Sequence, residues 1–86
     1  MGWRARVFVT PKQGVLDPQG KAVQHSLHTL GYPEVADVRI GKFIELSIDV
    51  ANKRDAEEVT RNVCQKLLAN PVMEDYTFVI EEVKKG

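Results

Sequence analysis

Two histidines, one cysteine and a few carboxylates are the side chains of this sequence with the means to do chemistry. His25 and His28 stand three apart, about 60° around a helix, close enough to share a surface metal. No third ligand stands near them, so solvation or contact with a partner is the simpler reading. Cys64 is the only cysteine and cannot form an internal disulfide. A reactive thiolate needs a cation or a helix N-terminus beside it. Position 64 falls in mid-helix at the flank of an apolar stripe, where a small free thiol fills core or boundary space. Asp17 precedes Pro18 and reads as a helix cap, and Glu74-Asp75 read as a solvated turn before a strand. Paired-carboxylate catalysis would need a cleft around such groups. Gly14 and Gly20 lie outside any phosphate-loop or dinucleotide fingerprint. The residues point to no catalytic, cofactor or metal site within this chain.

Arg4, Arg6, Lys12, Lys21, Arg39 and Lys42 concentrate positive charge in the first half, most simply as solubilising strand and turn residues. Over the whole chain twelve Lys and Arg balance twelve Asp and Glu, for a formal net charge of +0. Binding to a phosphate backbone, which depends on positive charge, is not expected. With 86 residues, 43% of them hydrophobic, residues 1–86 are expected to form one small domain with one thin core. No apolar run approaches the roughly 18 residues of a membrane-spanning helix, and no apolar signal core follows Met1. The expected location is the cytoplasm.

The elements that must position these residues follow from periodicity. Trp3, Ala5, Val7 and Val9 alternate with Arg4, Arg6, Phe8 and Thr10 in a first strand whose former set is the core face. Pro11-Lys12-Gln13-Gly14 ends it. Asp17-Pro18 opens a helix running to about Leu30, with Ala22, Val23, Leu27 and Leu30 in one apolar stripe and Gly31 beyond its end. Val35 to Val50 is too long for one uninterrupted strand and predicts a hairpin turning tightly at Gly41-Lys42. Its second arm alternates Ile44, Leu46, Ile48 and Val50 with Phe43, Glu45, Ser47 and Asp49. A second helix spans about Arg54 to Ala69, with Ala56, Val59, Val63 and Leu67 as its stripe and Asp55 and Glu58 as a capping box. Asn70-Pro71 stops it. A last strand runs from about Tyr76 to Val83, before a frayed Lys84-Lys85-Gly86 tail.

This is an α+β, ferredoxin-like β-α-β-β-α-β order, with two helices on one face of an antiparallel sheet. The other face is left uncovered. If Val7 and Val9 face the helices, Phe8 faces away, and Phe43 likewise opposes Ile44. Aromatics on an open sheet face of so small a protein predict oligomerisation through that face.

Three segments carry a resemblance. Gly14-Val15-Leu16-Asp17-Pro18-Gln19-Gly20-Lys21-Ala22, Val38 to Leu46 and Leu67 to Tyr76 stand in the order and spacing of the PurS family, the small subunit of phosphoribosylformylglycinamidine synthase. The resemblance implies a part in de novo purine biosynthesis. The complex turns formylglycinamide ribonucleotide, glutamine and ATP into formylglycinamidine ribonucleotide, glutamate, ADP and phosphate. It implies a non-catalytic chain that bridges a PurQ-type glutaminase and a PurL-type synthetase and assists ammonia transfer. ATP and magnesium would belong to the synthetase. The chain itself would form a dimer, with pairing into tetramers left open. Loops on a rigid scaffold carry recognition, which makes Lys12, Gln13, Gly14, Asp17, Arg39, Gly41, Lys42, Asn70, Glu74 and Asp75 candidate partner contacts. Phe8 and Phe43 join them as dimer contacts. The competing reading is a free-standing ferredoxin-like domain that binds a small ligand or regulates, since that fold hosts many functions.

Overall fold

The computed structural model describes residues 2–83, so the expected tail at 84–86 lies outside the described residues. Strand β1 (Gly2–Pro11) is followed by α1 (Pro18–Thr29), β2 (Lys42–Ile48), α2 (Lys53–Val63), a π-helical turn (Cys64–Leu68) and β3 (Glu74–Val83). The strands form an antiparallel sheet in the order β2-β1-β3. β1 is central. Its inward residues Ala5, Val7 and Val9 are fully buried and face Leu46, Ile44 and Lys42 across one ladder and Ile80, Phe78 and Tyr76 across the other.

The helix caps form as their residues dictate. The Asp17 carboxylate accepts from the Gly20 N–H at 3.0 Å, Pro18 occupies the first turn, and Gly31 takes the left-handed φ of 102° beyond the helix end. α2 starts earlier than its expected boundary: Asn52 is the cap, its side chain accepting from Asp55 N–H at 2.9 Å. Asp55 thus stands at the third helical position and donates to the cap, rather than being the cap itself. The face that α2 buries also differs. Ala56, Thr60 and Cys64 are buried, whereas Val59 is 39% and Leu67 81% exposed. Residues spaced by four keep one line along the helix, and small side chains on that line let the helix approach the sheet. The Thr60 hydroxyl donates to the Ala56 carbonyl at 2.8 Å and so enters the core satisfied. The π-helical turn then shifts the phase and rotates Leu67 outward.

The tight turn at Gly41-Lys42 does not form within the chain. Such hairpin turns require positive φ; Gly14 and Gly31 have it, and Gly41 does not. Gly41 instead presses on β1, where a Cβ would stand 2.2 Å from the Val9 carbonyl oxygen. Val35 to Ile40 therefore runs on into β2 without a ladder partner, and the sheet of one chain has three strands. α2 packs against β1 and β3, while Val23 and Leu30 of the α1 stripe are 40% and 72% exposed.

Candidate functional site

The residues with recognition chemistry converge on one end of the sheet, where β1 finishes and β2 and β3 begin. Pro11 pairs with Glu74, Thr10 with Asp75, Val9 with Lys42 and Phe8 with Phe43. Three loops separated in sequence meet there. The Lys12 N–H donates to the Met73 carbonyl at 2.8 Å, and its ammonium reaches Asp75 at 2.6 Å. Lys42 lies 3.7 Å from Glu74, and Arg39 donates to the Pro11 carbonyl at 3.2 Å. Asn70 organises its own turn, accepting from Val72 N–H at 3.0 Å, while its N–H donates to Glu74 at 2.8 Å. On the outward sheet face at this end the Phe8 and Phe43 rings stack at 5.1 Å and remain about half exposed.

Lys12, Gln13, Gly14, Asp17 and Arg39 line an open cavity of about 350 Å³, joined by Lys21 and Asp37. Lys12 is also a wall of a second hollow of about 280 Å³, with Glu74, Asp75, Cys64 and Tyr76. The sequence named Lys21 only as a solubilising charge, and Asp37 and the carbonyls of Pro11 and Met73 gave no signal, because only the folded loops bring them together. All twelve candidate contacts thus lie at or beside this end of the sheet.

Asp17 does more than cap. One oxygen holds Gly20 N–H, and the other accepts from Ile40 N–H at 2.9 Å, tying α1 to the chain that returns from it. These two amides, Gly20 first, favour the carboxylate and hold its pKa below the ordinary value. A depressed carboxylate contributes stability above its unfolded pKa and loses it as pH falls through the folded one. Acidification below the ordinary carboxylate range should therefore release this clasp. Asp17→Asn, left with one acceptor oxygen, should deprotect either Ile40 N–H or Gly20 N–H in hydrogen exchange at neutral pH, and Asp17→Ala should deprotect both. Unchanged exchange at both amides in Asp17→Ala would remove the clasp from the account.

His28 and Cys64 have structural surroundings. His28 Nε2 lies 2.8 Å from the Val35 carbonyl, and among the described residues no three metal-ligating side chains converge. Cys64 is buried, and desolvation pushes its thiol pKa up, opposite to what a nucleophile needs. The basic residues of the first half are largely paired. Arg6 forks onto Glu81 at 2.9 and 3.2 Å, and Arg4 stands 3.7 Å from both Glu45 and Glu81. These exposed pairs neutralise the outward face more than they stabilise it.

Comparison with known proteins decides the lineage. The family model for PurS, described as phosphoribosylformylglycinamidine (FGAM) synthase, matches residues 4–82. The chain belongs to the PurS family. Among curated relatives, the phosphoribosylformylglycinamidine synthase subunit PurS of Bacillus subtilis is 52% identical over 81 residues, covering 94% of this chain and 95% of that one. The Synechocystis PurS subunit is 45% identical, covering 91% and 78%. Among solved structures, Thermus thermophilus PurS superposes with a TM-score of 0.85 at 40% identity, over 98% of this chain and 100% of that one. A chain of the Thermotoga maritima PurLQS structure gives a TM-score of 0.85 at 30% identity, over 94% and 99%. The first cavity draws Gly14 to Asp17 and Lys21 from one of the segments that carry the resemblance and Val38 and Arg39 from another.

Proposed function

We propose that this chain is the bridging subunit of a phosphoribosylformylglycinamidine synthase, acting as a dimer between a PurQ-type glutaminase and a PurL-type synthetase. The observation that carries this reading is the gathering of the 12–17, 39–42 and 70–75 segments into one surface, in a chain whose His28 and Cys64 have structural surroundings. In this reading ATP and magnesium are held by the synthetase, the chain contributes no reacting group, and the complex works in the cytoplasm. Ammonia freed at one subunit attacks only while it keeps its lone pair, and protonation by bulk water removes that. A surface that closes the junction between the two larger subunits shields the transfer from water.

The test is reconstitution of glutamine-dependent synthase activity from the two larger subunits with and without this chain. Strong dependence on the chain is expected; equal product formation in its absence would defeat the bridging reading. A free-standing ligand-binding domain would instead show saturable binding by the isolated chain. The outward face, with Phe8 and Phe43, is the surface this reading gives to the dimer. Phe8→Lys combined with Phe43→Lys should weaken the dimer in sedimentation equilibrium, and an unaltered distribution would exclude the face from assembly.

A further inference from the structure

We propose that the outer edge of β3 is a docking edge, on which an extended segment of one of the larger synthase subunits pairs with Tyr76 to Ile80 as an added strand. The inference rests on the subunit reading above and specifies how a larger subunit grips this chain.

β3 is an edge strand of the sheet β2-β1-β3. Every second residue of such a strand points its N–H and C=O away from its single neighbour, toward water or an incoming chain. β3 runs for ten residues, about 34 Å and longer than most strands. Its register is unbroken from Glu74 opposite Pro11 to Val83 opposite Gly2, so no bulge turns the edge aside. The strand has no proline, and Tyr76 to Ile80 carry no charge. The devices that blunt an edge against added strands are therefore absent from its middle.

The space beside that middle is open. α2 packs over the inward face of β1 and β3, and a hollow of about 320 Å³ remains between Lys53 and Glu57 of α2 and Phe78, Val79 and Ile80 of β3. Phe78 and Ile80 point inward with Val7 and Ala5, whereas Val79 points outward with Arg6. A hollow that touches residues of both faces opens along the edge between them. Val79 is 55% exposed. An added strand sends alternate side chains to the two faces, so one set would enter the hollow beside α2 and the other would lie against Val79. Main-chain bonds then give affinity and the hollow gives selectivity.

Charge decides the occupant. The uncharged middle is bounded by Glu74-Asp75 at one end and Glu81-Glu82 at the other. Two β3 strands paired antiparallel over their full length would set Asp75 against Glu82 twice, and like charges directly opposite destabilise a sheet. A second copy is thus disfavoured on this edge. Asp75 and Glu81 are held by Lys12 and Arg6, while among the described residues Glu57 and Glu82 have no ionic partner. Glu82 shares the inward face with Ile80, one step further along β3, and so stands on the side of the sheet that α2 covers. Lys53 offsets one of these two carboxylates and leaves an acidic excess. The fitting partner is an extended segment, uncharged over its middle, with a Lys or Arg that reaches Glu82. Association of two copies through the Phe8 and Phe43 face stacks sheets and leaves their edges open, so it does not compete.

The test is amide hydrogen exchange on the full chain, ¹⁵N-labelled, free and after assembly with the unlabelled glutaminase, the synthetase, or both. Alternate amides from Tyr76 to Ile80 should exchange freely in the chain alone and slow about 100-fold in the complex. An assembled, active complex in which they exchange as fast as before overturns the docking edge and leaves the bridging reading standing. Amides already slow in the free chain also overturn it, because the edge is then occupied without a larger subunit. Slowed amides in a complex whose activity does not depend on this chain would keep the edge and defeat bridging; no complex with either subunit defeats both. Glu57→Arg combined with Glu82→Arg should raise the dissociation constant of the complex about tenfold at low salt, with the melting temperature of the free chain kept. Parent-like affinity in that variant overturns the basic segment as the occupant.

Discussion

Gly20→Ala is expected to lower the melting temperature of the chain and, with it, the glutamine-dependent activity of the reconstituted complex. By helix propensity alone the change should help, since alanine in a helix is favoured over glycine by about 1 kcal/mol. The packing reverses the sign. The new methyl would stand 2.2 Å from the Val38 backbone oxygen and 2.5 Å from Asp17 Oδ2. Neither obstacle is the loose end of a flexible side chain: the first is backbone, and the second holds Ile40 N–H. Relief requires α1 to part from the Val35–Ile40 segment, at a cost of about 1–3 kcal/mol by analogy with overpacked cores. The parted segment no longer holds residues 12–17 and 37–39 around the cavity they line. Gly2→Ala is the control. A Cβ there meets nothing within 4 Å, so dimer and activity should be retained. A Gly20→Ala protein with the parent's melting temperature and activity would show that α1 and the Val35–Ile40 segment need not act as one body.

How much of this was legible in the sequence depends on the range of the forces involved. Asp17-Pro18 and Gly31 mark the ends of α1 correctly because capping is settled by neighbours within a few residues. The inward and outward faces of β1 follow from alternation, and Phe8 stands opposite Phe43 on the outward one. The phase of α2 was misread because Thr60 counts as polar in a pattern, although its hydroxyl is satisfied within the helix. The hairpin at Gly41 was misplaced for a different reason. A glycine between two strand-like runs permits a turn, but nothing local obliges one, and here the Val9 carbonyl and the clasp at Asp17 hold the chain straight. The candidate contacts were chosen as loop residues, and their types were readable. Their convergence was not, since it depends on the register that sets Pro11 against Glu74 and Val9 against Lys42.

The melting temperature is expected to rise with protein concentration, by roughly 5 to 10 °C between about 1 and about 100 µM, followed through the fluorescence of Trp3. The reason is the size of the core. Its buried apolar members are Ala5, Val7, Val9, Ile48, Ala56, Cys64 and Ala69, three of them alanines. At ~25 cal/mol per Å² such side chains supply little to set against the entropy of ordering a chain of this length. One chain leaves further apolar area, in Val23 and Leu30 of α1 and Ile44 and Leu46 of β2, wholly or partly in water, and association with a second copy is the means by which the proposed dimer would remove it. Folding and association are then one equilibrium, and a hundredfold rise in concentration adds about 2.7 kcal/mol per dimer. For a unit of two such chains this corresponds to the stated shift, at about 2–4 °C per kcal/mol. Val7→Ala, which empties the centre of β1 at a cost of about 2 kcal/mol per chain, should lower the whole curve without flattening its slope against concentration. A melting temperature independent of concentration would mean that the half-covered sheet is stable alone, and the exposed α1 stripe would then have no part in holding the fold.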